Sequence, residues 1–297
     1  MIVRGKPTFL HVLTAVRGSV LPTIAPQLLG MMAYAAALVW VDHRFHDLPH
    51  PEPTSFGVFG IALSLFLGFR NNAAYDRWWE ARKLWGLMLA NMRALAREAE
   101  VFLPEEAARH RLLRLALANL HLHRINLRAS GPDAASTAAT DRAGLAARAR
   151  PCDALDAMAL MLAEERAAGR LDGFGARQLT DRMADLGNHQ AGAERIAVTP
   201  LPYVYSLLVF RTSWLYLLIV PLSLIGPAGW MTPLVVGVMA YIFFGFAEVT
   251  EELSHPFADT PNALPMSAIC RAVEISMAPH LGEEPPPPLL PVDYRLD

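Results

Sequence analysis

The chain of 297 residues has few charged side chains and almost no cysteine. Charged residues make up 18% of it, whereas an average soluble domain has about 25%. The only cysteines are Cys152 and Cys270, which excludes a disulfide scaffold. The hydrophobic fraction of 53% excludes intrinsic disorder, and the formal net charge of −2 argues against a nucleic-acid partner, which would need a basic surface. The remaining classes are an unusually apolar soluble protein and a membrane protein.

Motifs of the common enzyme and cofactor sites are also missing. The sequence has no nucleophile elbow, no HExxH zinc motif and no Gly-rich phosphate loop. All ten histidines lie outside the long uncharged runs, so haem ligation within a membrane is not expected. His121 and His123 point to different faces of a helix, and we expect them to be solvated rather than metal-bound. The sequence therefore predicts no enzyme, no cofactor and no metal site.

Three long runs without ionisable side chains favour a membrane protein. Gly18–Val41 has 24 such residues, Pro53–Phe69 has 17 and Thr212–Ala247 has 36. A membrane-spanning helix requires about 20. The third run is long enough for two helices and contains a turn signal at residues 226–229, so it predicts a helical hairpin that begins near Tyr203. We therefore expect four transmembrane helices.

The polar half of the sequence is predicted to be helical as well, which makes the whole chain an all-α membrane protein. Two of its helices are expected at Ala154–Ala168 and Ala176–Arg195, after a loop over residues 130–151. The chain is divided into an N-terminal segment with the first two transmembrane helices, a cytoplasmic helical region, a transmembrane hairpin and a C-terminal segment with a Pro-rich tail, at residues 1–79, 80–202, 203–247 and 248–297.

The distribution of Lys and Arg predicts the orientation of the spans. The loop between the last two spans has no basic residue, and residues 42–52 have one. Basic residues are instead concentrated before the first span and after the second. Because cytoplasmic loops are enriched in Lys and Arg, both termini and the central region are predicted to be cytoplasmic. The basic residues concerned are Arg4, Lys6, Arg17, Arg70, Arg77, Arg82 and Lys83.

Two stripes of side chains, each with a spacing of four residues, run along the second span. The small stripe and the large apolar stripe consist of Gly60, Ser64 and Gly68 and of Ile61, Leu65 and Phe69. Small residues let another helix approach closely, and an apolar ring around a symmetry axis can gate a pore by dewetting. The same stripes are also typical of ordinary packing in a four-helix bundle. Periodicity alone leaves both interpretations open.

Several motifs carry a resemblance to a known family. Residues 66–82, with Arg77-Trp78-Trp79 near their end, resemble the region around the RWW signature of the bestrophin family. Similar matches are the segments ERIAVTPLP at 194–202, EELSHPF at 251–257 and NALP at 262–265. The chain is identified as a bacterial-type member of this family. The resemblance implies a multi-pass protein of the bacterial inner membrane.

The resemblance also implies a function, namely a pentameric ion channel with one pore on a five-fold axis. The family's hydrophobic neck is lined at 16, 12 and 8 positions before the Arg of RWW, which here are Ile61, Leu65 and Phe69. A second, cytoplasmic constriction is expected at Phe174. The stripe of small residues would pack the pore helices. The expected partners are four further copies of the chain, the lipid bilayer and small permeant monovalent ions.

The sequence departs from the family pattern at one site. Eukaryotic members bind activating Ca²⁺ through an acidic cluster after a Pro-Phe-Gly motif. Here Ala258 replaces the Gly, and only Asp259 and Asn262 offer oxygen side chains. Ca²⁺ takes about six to eight oxygen ligands, so we expect no Ca²⁺ site. Ion selectivity stays open between chloride, which eukaryotic members conduct, and the monovalent cations that some bacterial relatives conduct.

Passive permeation is the main prediction, with two alternatives. The first is a non-conducting membrane scaffold or sensor that binds a cytoplasmic partner. The second is a coupled transporter, which would depend on Arg211, the one charge near the third span.

Two structural roles are also predicted. Glu194 and Arg195 are expected to pair, and the helix is expected to be anchored at the membrane interface by Arg77, Trp78 and Trp79.

Overall fold

The computed structural model describes residues 1–3, 5, 8, 15–16, 18–45 and 48–297. Over these residues the chain is all-α, since its only β contacts are isolated bridges at Ile2, Val292 and Arg295. The all-α fold predicted from the sequence is confirmed. In chain order the helices are α1 (Leu21–Phe45), α2 (Pro53–Phe102), α3 (Glu106–Leu127), α4 (Ala134–Arg142), α5 (Pro151–Ala167), α6 (Gly173–Val198), α7 (Tyr203–Ala228), α8 (Thr232–Ser254) and α9 (Met266–Met277).

The chain divides into two compact units. The apolar unit comprises Gly5–Trp78 and Pro200–His255. The polar unit comprises Trp79–Thr199 and Pro256–Asp297, together with the first residues of the chain. Helix α2 contributes its first part to the apolar unit and its last part to the polar unit. The finer division of the sequence into four segments stays a prediction.

The apolar unit is built from α1, α7, α8 and the first part of α2 around an aliphatic and aromatic core. Helices α1 and α8 approach closely at Gly237, where a Cβ atom would lie 2.8 Å from Sδ of Met32. Tyr216 of α7 packs edge-on against Phe243 of α8, with ring centroids 5.4 Å apart. The two helices form the predicted hairpin, and the chain reverses at Gly229, whose φ of +51° favours glycine.

Three segments of the described chain are long and apolar enough to cross a membrane, namely Leu21–Phe45, Pro53–Phe102 and Tyr203–Ser254. The last of these contains both α7 and α8, so four helices carry the apolar stretches, as the sequence predicts. The second helix is much longer than its uncharged run, because α2 continues for 50 residues. No proline follows Pro53 within it, so nothing in the sequence forces the helix to end at the first charged residue.

Helix α3 lies at the centre of the polar unit, where α4, α5, α6 and α9 pack against it. The loop predicted over residues 130–151 is wrong between Ala134 and Arg142, which form α4. A capping box starts this helix: Oδ1 of Asp133 accepts from the Ser136 amide at 2.8 Å, and Oγ of Ser136 accepts from the Asp133 amide at 2.9 Å. The two helices predicted after the loop are α5 and α6, each of which begins three residues earlier than predicted.

The two ends of the chain pair with each other in the polar unit. The Met1 amino group donates to the Leu296 carbonyl at 2.5 Å, and the Leu296 amide donates to the Met1 carbonyl at 2.9 Å. The Val3 amide donates to the Tyr294 carbonyl at 2.8 Å. Both ends therefore belong to one unit. The basic residues Arg4, Lys6 and Arg17, on which the predicted orientation partly depends, lie outside the described residues.

Candidate functional site: an outward-facing apolar stripe on the second helix

The predicted neck residues lie on the face of α2 that is turned away from the rest of the apolar unit. Ile61, Leu65 and Phe69 are 73%, 58% and 63% exposed. On the opposite face Leu63 and Leu67 are buried in the core of the unit. An exposed row of large apolar side chains marks a surface that contacts lipid or another protein chain. The stripe is therefore not an internal packing surface of a single chain.

The stripe of small residues is divided in its contacts. A Cβ atom at Gly60 would lie 2.7 Å from Oη of Tyr216, so this glycine allows α2 and α7 to approach. Ser64 is exposed, and a Cβ atom at Gly68 would meet nothing within 4 Å. Only Gly60 therefore serves helix packing within the chain. The packing role predicted for Ser64 and Gly68 would require a second copy and stays a prediction.

Directly after the neck residues, a buried arginine joins three helices, whereas the sequence analysis used this residue only to predict the orientation of the spans. Nη2 of Arg70 donates to Oγ of Ser206 on α7 at 2.8 Å and to Oε2 of Glu251 on α8 at 3.1 Å. Its side chain is 7% exposed, against 53% for Glu251. A charge immediately after a long uncharged run was the available signal. The ion pair fixes the end of the stripe relative to α7 and α8.

The residues of the RWW motif make structural contacts. Nε of Arg77 donates to the Ser254 carbonyl at 2.8 Å, which satisfies a carbonyl at the C-terminal end of α8. The ring of Trp78 stacks on Tyr75 with centroids 6.4 Å apart. Trp79 is about half exposed. The predicted anchoring of these three residues at a membrane interface stays a prediction.

Phe174, the predicted cytoplasmic constriction, is the second residue of α6 and is 85% exposed. Oδ1 of Asp172 accepts from the Gly175 amide at 2.6 Å and so caps the helix. A Cβ atom at Gly175 would lie 2.9 Å from Leu171 and from Phe102, so this side of the turn is tightly packed. The turn therefore holds Gly175 inward and leaves the Phe174 ring on the surface.

The expectation that His121 and His123 are solvated is wrong, because both are buried. His123 stacks on Trp85 with ring centroids 5.7 Å apart, and burial lowers its pKa to about 3, so it is neutral. Nε2 of His121 lies 2.7 Å from Oε1 of Glu274. Helix α3 is surrounded by other helices on most of its circumference, which buries both faces. Within the described parts of the chain, His, Cys, Asp and Glu form no group of three that could hold a metal ion.

Arginines engage the acidic residue at the position of the family's Ca²⁺ site. Asp259 accepts from Nη1 of Arg128 at 3.3 Å and also pairs with Arg295. Arg128 donates to the Ala258 carbonyl at 3.2 Å and pairs with Asp297. Guanidinium groups thus occupy oxygen atoms that a cation would otherwise use. A further expectation from the sequence, a pair between Glu194 and Arg195, is wrong.

Glu194 and Arg195 instead have separate partners, since neighbouring helical residues point in different directions. Nη2 of Arg195 donates to Oε1 of Glu80 at 2.5 Å. Oε1 of Glu194 accepts from Nε2 of Gln190 at 3.0 Å. The first contact links α6 to α2 within the polar unit, and the second lies within α6 itself. The apolar stripe is therefore left as the candidate site.

Comparisons with known proteins agree with this architecture. The family profile described as Bacterial/Fungal Bestrophin protein matches residues 1–279. The chain is 43% identical over 290 residues to the voltage-dependent anion channel-forming protein mll4386 of Mesorhizobium japonicum, which covers 96% of this chain and 94% of that protein. It is 36% identical over 289 residues to the voltage-dependent anion channel-forming protein YneE of Escherichia coli K12, which covers 93% of each.

A solved structure has the same fold. It is a bacterial bestrophin homologue from Klebsiella pneumoniae, with a TM-score of 0.79 and 29% sequence identity, and the match covers 88% of this chain and 100% of that one. The resemblance recognised around the RWW motif and the predicted membrane-protein fold are both confirmed. The chain belongs to the bestrophin family.

Proposed function

We propose that the protein is an ion channel in which several copies surround one pore, with Ile61, Leu65 and Phe69 lining its neck. The direction of the stripe carries this proposal, because its three large apolar side chains point away from the bundle of their own chain while Leu63 and Leu67 pack inward. Rings of such side chains form an apolar constriction, which can gate by excluding water. No proton or second substrate is needed for passive flux along this path.

The pore requires an assembly, since the proposed lining lies outside the bundle of one chain. A pentamer is the known architecture of the family, and we propose it for this chain. Identical subunits that associate through two different surfaces form a closed ring when the rotation between neighbours closes after a whole number of copies. Ser64 and Gly68 would let the neighbouring α2 come close, because both are open in a single chain.

We propose that the permeant ions are small monovalent anions, chloride among them. Two relatives are named as voltage-dependent anion channel-forming proteins. Arg70 adds a buried positive charge directly after Phe69, although Glu251 balances part of it. Permeation of monovalent cations, which the sequence left open, is a separate outcome of the test below.

The remaining predictions are consistent with this channel. The exposed ring of Phe174 would form a second constriction, in a cytoplasmic part of the pore. Because Met1 pairs with Leu296, both termini lie on the same side of the membrane, as a shared cytoplasmic location requires. We propose the bacterial inner membrane as the location, with Arg77, Trp78 and Trp79 at its cytoplasmic surface.

Reconstitution in a planar bilayer with a salt gradient tests the function. We expect current, and the sign of the reversal potential distinguishes anions from cations. Leu65→Ala should change conductance or gating, because it removes five side chains from one ring. Leu29→Ala on α1 is a matched control, since Leu29 is equally apolar, similarly exposed and outside the stripe.

Three outcomes would contradict the proposal. Silence of wild type and both variants under all salt conditions would favour a scaffold or sensor that binds a cytoplasmic partner. Saturable uptake that depends on a proton or sodium gradient and is lost in Arg211→Gln would favour a coupled transporter. Equal effects of Leu65→Ala and Leu29→Ala on the current would show that the stripe of large apolar residues does not line the pore.

A further inference from the structure

The polar unit contains a cavity of about 310 Å³ that the proposed ion path does not use. Its walls come from α3, α4, α9 and the segment after α9, so the whole cavity lies within one unit. This volume is at the lower end of the range of about 300–1,000 Å³ that is usual for small-molecule sites. Three arginines from three helices line it, namely Arg114, Arg142 and Arg271.

One of these arginines is already well paired. Nε of Arg271 lies 2.8 Å from Oε2 of Glu274, and Oε1 of the same carboxylate lies 2.7 Å from Nε2 of His121. Both oxygens of Glu274 are thus engaged. The pair contributes little net charge to the cavity and holds one wall in place.

The other two arginines share a single poorly placed carboxylate. Oε1 of Glu283 lies 3.7 Å from Nη2 of Arg114, and Oε2 lies 3.9 Å from Nη1 of Arg142. Both distances exceed those of N–H···O hydrogen bonds. All three side chains are at least partly exposed, so these contacts contribute little to stability. The Glu283 carboxylate is therefore held only weakly between the guanidinium groups of Arg114 and Arg142.

Two buried nitrogen atoms at the cavity have no hydrogen-bond partner within the part of the chain that the structure describes. They are Nε of Arg114 and Nδ1 of His121, and the His121 side chain is only 4% exposed. Buried polar atoms without partners are costly and rare. Both belong to residues that line the cavity, so a small movement of either side chain would bring a polar group without a partner to the cavity surface.

The Glu283 side chain can rotate away from Arg114 and Arg142 without a change in the backbone. Gly282 adopts a left-handed conformation with φ of +66°, and the Glu283 amide donates to the Ala278 carbonyl at 2.9 Å. These features fix the chain at this position and leave only the side chain free to rotate. Another anion can therefore replace the Glu283 carboxylate between the two arginines at little conformational cost.

We infer that this cavity binds a small phosphate-bearing molecule, whose phosphate group replaces the Glu283 carboxylate between Arg114 and Arg142. A phosphate carries about −1.5 to −2 charges at neutral pH and three strong acceptor oxygens. It can accept hydrogen bonds from both guanidinium groups at once, which the single Glu283 carboxylate does not do. Glu284, which also lines the cavity, adds a negative charge that opposes any anion, so the two guanidinium groups must supply the affinity for phosphate.

Thermal unfolding of the purified full-length protein in detergent tests the site, with inorganic phosphate as the probe and KCl keeping ionic strength constant. We expect Tm to rise and saturate with phosphate, since a ligand that binds only the folded state stabilises it. Glu283→Gln removes the competing carboxylate and should lower the half-saturating concentration. Arg142→Gln should raise it about tenfold or more, because it removes a charge-assisted hydrogen-bond donor.

Controls separate this site from general salt effects. Arg111→Gln is matched to Arg142→Gln, because Arg111 pairs with Glu164 at 2.9 Å outside the cavity, and it should leave the phosphate response unchanged. No saturable rise in Tm, or equal responses in wild type and Arg142→Gln, would overturn the inference. A response to succinate but not to phosphate would overturn the assignment to phosphate. If Arg142→Gln does not fold, an unchanged half-saturation in Glu283→Gln would refute the proposed competition.

Discussion

Arg70 and Glu251 are unequally accessible to water, so removing one partner of this ion pair should reduce stability more than removing the other. The Arg70 side chain is 7% exposed and that of Glu251 is 53% exposed. Arg70→Met leaves a carboxylate that water can solvate, and Met fills much of the vacated volume. Glu251→Gln leaves a buried guanidinium group with only neutral partners. We therefore expect Glu251→Gln to be the more damaging substitution.

The magnitude follows from how much of the pair stays in place. A fully buried charge that loses its partner costs about 3–5 kcal/mol. Ser206 remains 2.8 Å from Arg70, the amide oxygen introduced by Glu251→Gln can still accept a hydrogen bond, and Glu251 is partly screened by solvent already. We expect a loss of about 1–2 kcal/mol for Glu251→Gln and of less than about 1 kcal/mol for Arg70→Met. The larger loss corresponds to a fall in Tm of roughly 2–8 °C for a protein of this size.

The assay is thermal unfolding of the purified protein, followed by tryptophan fluorescence, for wild type, both single variants and the double variant. The double variant has neither charge, so it should be more stable than Glu251→Gln alone. Ser206→Ala is a useful third variant, because it removes the other hydrogen-bond acceptor of Arg70. A larger loss for Arg70→Met than for Glu251→Gln would refute the reasoning, and so would additive losses in the double variant.

Three further predictions concern other parts of the molecule. In the proposed pentamer Gly68→Ala should weaken the assembly, as measured by light scattering. Gly30→Ala on α1, where an added Cβ atom also meets nothing within 4 Å, should not weaken it. Equal effects of the two substitutions would contradict the placement of Gly68 at the subunit interface. In the folded chain His123 has a pKa of about 3 and stays neutral, whereas in the unfolded chain it binds a proton as pH falls below about 6.5. Lower pH therefore favours the unfolded state of wild type. Between pH 7 and 5 wild type should lose about 2 kcal/mol more stability than His123→Leu. Parallel stability–pH curves would contradict this sign. Chelation of Ca²⁺ should leave the current unchanged, because arginines engage Asp259, and a loss of current would point to a Ca²⁺ site elsewhere.

The membrane helices could be predicted because the bilayer imposes a simple requirement on sequence. About 20 residues without charge are needed to cross it, and the three uncharged runs correspond to α1, the start of α2 and the α7–α8 hairpin. The length of α2 could not be predicted in this way. Its polar part lacks a proline or a cap that would end it, so the helix continues to Phe102 although the uncharged run stops at Phe69.

Helix α3 shows why the polar half was harder to predict. Its buried residues include His121, His123 and Arg124, which sequence patterns usually assign to a solvated face. Several helices surround α3, so burial there depends on partners far away in sequence, such as Glu274 for His121. Helix α4 was missed for a different reason: the Ser-Gly-Pro segment before it and its own Ser and Thr residues favoured a loop, although its alanines favour a helix and Asp133 and Ser136 form a capping pair.

The neck residues define the limit of what hydropathy can decide. A large apolar side chain in a membrane helix can face lipid, its own bundle or a pore, and the chemistry of the residue is the same in each case. The fold removes the second possibility for Leu65, because the inward positions are taken by Leu63 and Leu67. Phe66, one residue further along, is similarly exposed but points about 100° away around the helix. If α2 lines an axial pore through this stripe, Leu65→Ala must alter the current more than Phe66→Ala; an equal effect of Phe66→Ala would contradict the placement of the constriction at Ile61, Leu65 and Phe69.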